Sequence, residues 1–157
     1  MTAAWDADLA GLADVRTRAR AARRAFDQLA GADQETLDRY LRAMALAGTK
    51  AAEELARLAV DETGYGVYEH KIHKNRYNTG FVARWMLDRR AVGVLWVDDD
   101  ARVTAVGTPM GVIAGIIPVT NPTSTALFKS LAAVKSGNAV VHAPHPRAAA
   151  ARSARPR

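Results

Sequence analysis

The chain has 157 residues, of which 49% are hydrophobic and 24% are charged, and this balance is typical of one ordinary globular domain. It contains no cysteine, which excludes disulfide bonds and thiolate metal sites within it. The longest apolar runs fall well short of the ~20 residues that cross a bilayer, and residues 1–15 carry three aspartates, unlike a secretory signal. We therefore expect a cytoplasmic protein without a membrane partner.

The net charge of +6 belongs partly to the carboxyl-terminal segment. The last eleven residues hold four arginines and no acid, and the rest of the chain has 18 basic against 16 acidic residues. No recognition helix, aromatic platform or lysine-rich run accompanies this charge. A basic nucleic-acid binder is therefore the least favoured class of function.

The first helix is predicted over residues 6–30. Leu9, Leu12, Phe26 and Leu29 keep a three-to-four spacing, and Asp33, after a glycine, is placed to cap the next helix. Five arginines crowd the middle of the first helix: Arg16, Arg18, Arg20, Arg23 and Arg24. A solvated cationic face is the preferred interpretation, with an anionic partner or a targeting helix as alternatives.

Two more helices are expected before residue 64. The second has an apolar stripe made of Leu37, Tyr40, Leu41 and Met44. Gly48 and Thr49 suggest a joint, with Thr49 capping a third helix. That helix carries apolar residues at positions 55, 58 and 59 and ends at the sequence Glu62-Thr63-Gly64.

A further helix is predicted over residues 68–88, followed by a β-hairpin over residues 92–106. The residues expected to be buried in the helix are Ile72, Phe81, Trp85 and Met86. His70 and His73 are spaced to share a helix face, but without a carboxylate partner they are better interpreted as surface residues than as metal ligands. Three aspartates at 98–100 favour a solvated hairpin turn over a calcium loop, which needs more widely spaced ligands and a glycine.

Residues 111–147 predict a strand–helix–strand unit. An apolar run at 111–117 suits a strand buried on both faces, and Pro118 ends it. Asn121 and Pro122 open a helix that ends at Gly137-Asn138, before the apolar strand 139–141. Right-handed crossover places both strands parallel, so loops 118–122 and 143–147 reach the ligand-binding edge. The helix amino terminus there favours an anion such as a pyrophosphate.

Several motifs of this unit occur together with motifs upstream. They are Glu62-Thr63-Gly64-Tyr65-Gly66 followed by Glu69, Lys71, Lys74 and Asn75; the sequence IPVTNPTST at 117–125; Phe128-Lys129-Ser130; and Pro144-His145-Pro146-Arg147. In this order they resemble the start of the nucleotide-binding domain of the aldehyde dehydrogenase superfamily. The resemblance covers residues 35–148 and is greatest to the CoA-acylating branch, the acetaldehyde and propionaldehyde dehydrogenases.

The resemblance implies an α/β fold in which amino-terminal helices and a β-hairpin lead into the first strand–helix–strand unit of a parallel Rossmann-like sheet, here incomplete. It divides the chain into a helical extension (1–34), a partial NAD(P)-binding domain (35–147) and an Ala/Arg-rich tail (148–157), which is expected to be a frayed helix or disordered. With two strands of the sheet encoded, apolar faces and an open edge would be exposed. We therefore expect low stability for the chain alone.

The reaction implied by the resemblance converts an aldehyde, CoA and NAD(P)⁺ into acyl-CoA and NAD(P)H. A cysteine thiolate on a later domain attacks the aldehyde, and because this sequence has no cysteine we expect the chain to be inactive alone. NAD or NADP is the expected cofactor, coenzyme A the co-substrate, and a homo-oligomer the full-length form. The main alternative is a non-catalytic helical interaction module. Some acylating dehydrogenases carry an amino-terminal extension that addresses them to a bacterial microcompartment, and this location is the less favoured alternative to the cytoplasm.

The resemblance also implies the site residues. Asn121 matches the family's oxyanion donor and Thr120 is its rival, because sliding the match by one position places threonine there; Asn121 could instead only cap its helix. Pro118, Val119 and Thr120 are expected along the nicotinamide–pyrophosphate side. The residues expected near the adenosine ribose are Pro144, His145, Pro146 and Arg147. Arg147 would meet a 2′-phosphate if the cofactor is NADP. No Gly-x-Gly-x-x-Gly fingerprint occurs, and the family does not use one.

Overall fold

The computed structural model describes residues 2–148, with side chains at position 6 and from position 8 onward. The helices are α1 (Thr2–Leu29), α2 (Gln34–Lys50), α3 (Ala52–Thr63), α4 (Tyr68–Tyr77), α5 (Ala83–Leu87) and α6 (Pro122–Lys135). The strands are β1 (Gly93–Asp98), β2 (Val103–Gly107), β3 (Val112–Ile117) and β4 (Ala139–Pro144). The predicted tail lies outside the described residues except for Ala148, which is buried in a short 3₁₀ turn.

The first three helices begin and end close to where their sequence signals predict, with one exception. Asp33 caps α2 as expected, its Oδ1 accepting from the Thr36 N–H at 2.9 Å, and Gly64 ends α3 at φ +68°. The predicted joint at Gly48-Thr49 is wrong, because α2 continues through it to Lys50. A Cβ on Gly48 would lie 2.7 Å from Thr79 Cγ2, so this glycine permits a close helix–helix contact rather than a break.

The helix predicted over residues 68–88 forms α4 and α5, joined by a π-helical segment, Asn78–Val82, that the sequence did not predict. Phe81 and Trp85 were expected to be buried but are 57% and 51% exposed. The π turn adds a residue to the helical repeat, so the 3.6-residue spacing behind that prediction does not hold across it. Phe81 stacks on Tyr77 at the surface, with ring centroids 5.3 Å apart.

The main apolar cluster lies between α2, α5 and α6. Its buried members are Leu41, Ala45, Ala83, Met86 and Leu131. Beside it, Lys135 of α6 pairs with Asp38 of α2 at 2.6 Å, and both side chains are mostly buried. Tyr40, predicted in the apolar stripe of α2, is 43% exposed, and the Arg39 guanidinium lies 5.8 Å from the centroid of its ring.

The strands form two separate pairs. β1 and β2 make the predicted antiparallel hairpin, and the Asp98 carboxylate accepts from the Ala101 N–H in its turn at 2.9 Å. No cluster of metal-ligating side chains occurs in the described part of the chain, so neither the aspartate triplet nor the two histidines form one. Nor is any described helix long and apolar enough to cross a membrane.

β3 and β4 are parallel, as predicted, in a register running from Val112↔Ala139 to Ile117↔Pro144. Helix α6 connects them and packs on both strands. The fold is therefore α/β with a parallel strand–helix–strand unit. The expectation that this apolar strand is buried on both faces is wrong: most of β3 is exposed, with Ile116 at 71%, and Trp96 of β1 is 55% exposed. The low stability expected for the chain alone stays a prediction.

Candidate functional site

The two loops expected at the ligand-binding edge lie side by side. Ile117 and Pro144 are register partners at the carboxyl ends of β3 and β4, and the His145 N–H donates to the Ile117 carbonyl at 2.9 Å. A third segment, the turn at 64–67, approaches the same edge. Arg147 donates to the Thr63 carbonyl at 3.4 Å, and its guanidinium lies 5.4 Å from the centroid of the Tyr65 ring.

Asn121 occupies the residue before α6, but its side chain makes no capping hydrogen bond. Asn121 is nevertheless the N-cap residue of α6, as predicted, and its backbone carbonyl accepts from the Thr125 N–H at 3.2 Å. Its Oδ1 instead accepts from Lys74 Nζ at 2.9 Å. Its Nδ2 lies 3.5 Å from Thr120 Oγ1, too long for a strong hydrogen bond. Because Lys74 holds the oxygen of the carboxamide, the NH₂ group is the part that can donate to a ligand.

Two lysines one helical turn apart hold the 118–121 loop. Lys71 Nζ donates to the Thr120 carbonyl at 2.8 Å, and Lys74 holds Asn121 as described above. The Lys71 residue is 5% exposed, and burial lowers its pKa, with a further lowering from the neighbouring Lys74 charge. The sequence motifs contain both lysines without giving either a role. Their i, i+3 spacing is the signal that would have placed them on one helix face.

A buried polar contact fixes α4 against its neighbours. Asn75, which is fully buried, donates to the Ala52 carbonyl at 3.0 Å and accepts from the Thr123 hydroxyl at 3.1 Å. The amide of Asn78 donates to the Ser124 carbonyl at 2.8 Å. Because these bonds connect α4 to α3 and to the first turn of α6, the two lysines have a fixed position relative to the loop.

Two clefts meet at Asn121. The first, which we call the lysine cleft, has a volume of about 530 Å³ and is lined by Tyr65, Gly66, Val67, His70, Lys71, His73, Lys74, Thr120 and Asn121. The second, about 760 Å³, lies between α4, the π segment and α6, and includes Tyr77, Phe81 and Arg84. Three residues line both clefts: His73, Lys74 and Asn121.

The structure thus brings part of the predicted site together. Thr120 and Asn121 line the lysine cleft, while Pro118 and Val119 precede them at the end of β3 without lining either cleft. Three of the residues expected near the ribose, His145, Pro146 and Arg147, are exposed at the same edge, and Pro144 is half-buried. The oxyanion and ribose roles stay predictions.

Comparison with known proteins gives a consistent set of relatives. The model of the aldehyde dehydrogenase family matches residues 2–154. The bifunctional aldehyde-alcohol dehydrogenase of Escherichia coli K12 is 39% identical over 137 residues, which is 87% of this chain and 15% of that protein. The acylating sulfoacetaldehyde dehydrogenase of Cupriavidus necator is 42% identical over 138 residues, covering 87% of this chain and 27% of that one.

Solved structures show the same likeness. An acetylating aldehyde dehydrogenase from Geobacillus thermoglucosidasius superposes with a TM-score of 0.89 at 40% identity, covering 93% of this chain and 32% of that one. Propionaldehyde dehydrogenase from Rhodopseudomonas palustris with bound CoA superposes with a TM-score of 0.65 at 30% identity, covering 87% of this chain and 31% of that one. An engineered glycolyl-CoA reductase with bound NADP⁺ gives 0.64 at 29% identity, over the same shares.

The matched region is a minor part of each relative. This chain spans between 15% and 32% of the length of the relatives just described.

Proposed function

Because this chain belongs to the aldehyde dehydrogenase family, we propose that it forms the first part of the NAD(P)-binding domain of a CoA-acylating aldehyde dehydrogenase. The reaction is that of an aldehyde with CoA and NAD(P)⁺ to give acyl-CoA and NAD(P)H. Relatives whose names include acylating activity, and similar structures holding CoA and NADP⁺, support this proposal. The identity of the aldehyde stays open.

The residues present suit an anionic nucleotide. The lysine cleft lies at the carboxyl end of β3, carries two cationic side chains and has no carboxylate among its lining residues. Parallel sheets bind ligands at this edge. We infer that Pro118, Val119 and Thr120 face the nicotinamide–pyrophosphate part and that residues 144–147 face the ribose. When bound, the nicotinamide accepts the hydride.

The observation that carries the proposal is the hydrogen bond from Lys74 to Asn121 Oδ1 at 2.9 Å. With its oxygen held, the carboxamide presents its NH₂ group, and a preorganised N–H donor stabilises an oxyanion that develops during attack on an aldehyde. Thr120 remains the rival donor. Its carbonyl is held by Lys71, and its hydroxyl lies beside the Asn121 amide.

The nucleophile is not supplied by these residues. None of the 157 is a cysteine, so we propose that the thiolate belongs to a part of the protein beyond them and that the chain alone does not oxidise aldehydes. The homo-oligomeric state and the cytoplasmic location inferred from the sequence stay predictions.

The experiment is a fluorescence titration of the 157-residue chain with NADH and with NADPH. We expect saturable binding of at least one nucleotide, because the loop and cleft lie within this chain. If the Arg147 guanidinium contacts a 2′-phosphate, Arg147→Ala is expected to weaken the binding of NADPH more than the binding of NADH. Arg24→Ala, on the exposed face of α1, is the matched control. A folded chain that binds neither nucleotide would refute the proposal.

A further inference from the structure

The lysine cleft has an unusual charge balance. Lys71 and Lys74 share it with two exposed imidazoles, His70 and His73. The ion pairs formed among the described side chains all involve cations other than these two lysines. A cationic cleft without a built-in counter-charge concentrates anions.

Lys71 is the residue in which this imbalance is greatest. It is 5% exposed and donates to a neutral acceptor, the Thr120 carbonyl, at 2.8 Å. Lys135 is 4% exposed, but its ammonium lies 2.6 Å from the Asp38 carboxylate. Burying a charge without an ion pair is unfavourable. A bound anion would therefore stabilise the buried Lys71 ammonium. The lowering of its pKa by burial and by Lys74 agrees with this.

The turn at 64–67 is shaped around the same ammonium group. Gly66 has φ +82°, and a Cβ added to it would lie 3.2 Å from Lys71 Cε and 3.4 Å from Nζ. Each lysine has three N–H donors. The Thr120 carbonyl and Asn121 Oδ1 take one donor each. Donors therefore remain on both lysines for the oxygens of a ligand.

We propose that the lysine cleft is a binding site for a phosphate or diphosphate group, held by the ammonium groups of Lys71 and Lys74. Its volume of about 530 Å³ lies within the range of small-molecule sites. The site itself stands on this charge arrangement, while its natural ligand rests on the proposed function. Two ligands carry the required chemistry, the diphosphate of a nicotinamide dinucleotide and the phosphates of CoA.

The test is calorimetric titration of the full 157-residue chain with inorganic pyrophosphate. We expect the double variant Lys71→Met/Lys74→Met to weaken binding at least tenfold. The control Lys50→Met/Arg20→Met removes the same charge from exposed positions of α2 and α1 and is expected to change affinity less than twofold. Equal weakening by both pairs, or no binding by the folded wild-type chain, would overturn the site. If the double variant does not fold, Lys74→Met alone, at an exposed position, carries the same test.

Displacement experiments then separate this inference from the proposed function. If NADH displaces pyrophosphate, both the anion site and the proposed function are supported. If CoA displaces pyrophosphate and NADH does not, the anion site is supported and its natural ligand is CoA. NADH affinity could be unchanged in Lys71→Met/Lys74→Met, and NADH could fail to displace pyrophosphate from the wild-type chain. These two results together would support the proposed function and contradict a role for the lysine cleft in binding the phosphates of NADH. Pyrophosphate binding without binding of either nucleotide keeps the anion site and refutes the proposed function.

Discussion

Two buried lysines, Lys135 and Lys71, have different hydrogen-bond partners. Between α2 and α6, Lys135 is paired with Asp38, whose carboxylate also accepts from the Gln34 amide at 2.8 Å. In the lysine cleft, Lys71 has a carbonyl acceptor and a second lysine nearby. The first arrangement satisfies the charge internally and connects two helices. The second leaves a charge that a ligand can satisfy, and this difference separates a structural lysine from a binding lysine.

The largest effect is expected from Lys135→Met. Removing one member of a buried ion pair leaves the other charge without compensation, at a cost of ~3–5 kcal/mol in the free energy of unfolding. A urea titration followed by circular dichroism measures the loss. The control is Glu53→Ala, which breaks the exposed ion pair with Arg76, 2.7 Å apart. It is expected to lower the free energy of unfolding by less than ~1 kcal/mol.

The double variant Lys135→Met/Asp38→Leu sharpens this result. Replacing both charges by apolar groups of similar volume is often neutral, so most of the lost stability is expected to return. A double variant that is less stable than Lys135→Met alone would contradict the assignment of Lys135 as a purely structural partner of Asp38.

An intermediate effect is expected from Gly66→Ala. A non-glycine residue at φ +82° is strained by ~1–2 kcal/mol, and the new Cβ would press on the Lys71 side chain. We expect both lower stability and weaker pyrophosphate binding. Gly31→Ala has a similar strain at φ +80° with no atom near the new Cβ, so it is expected to lower stability without changing binding. Equal binding by the two variants would argue against a role for Gly66 in the cleft.

Lys71→Met is expected to change stability by less than about 1 kcal/mol, because the hydrogen bond that it loses is offset by removal of a desolvated charge. Pyrophosphate binding is nevertheless expected to fall. The same urea titration and calorimetry measure the two quantities. Destabilisation as large as that of Lys135→Met would remove the distinction between the two regions.

The smallest effect concerns pH. The pKa of Lys71 is lowered below its usual 10.5 in the folded chain, so between the folded and the usual value the unfolded chain binds more protons. Stability attributable to this residue therefore rises as pH increases through that window. Below the folded pKa the full cost of the buried charge is present. The stability difference between wild type and Lys71→Met, measured from pH 8 to 10.5, is expected to change in favour of wild type, and a change in the opposite direction would contradict the burial of an uncompensated charge.

Local signals predicted the elements well and the site in part. Pro122, Gly137 and Asp33 act through their own backbone or the next turn, so strand, helix and cap could be read from sequence spacing. The π segment could not, because no local pattern signals it; in the fold it packs against α2 and α6. The lysine contacts join positions nearly fifty residues apart, and no local pattern encodes which loop a lysine will reach. The resemblance identified the loop, while the contacts that position it required the fold.

The most direct test of a nucleotide site at the 118–121 loop is a map of amide chemical shifts in the ¹⁵N-labelled chain on addition of NADH. We predict that the largest shifts fall on Thr120, Asn121 and Gly66, with the side-chain amide of Asn121 among them. Shifts confined to the arginine-rich face of α1, or to the β1–β2 hairpin, would contradict it.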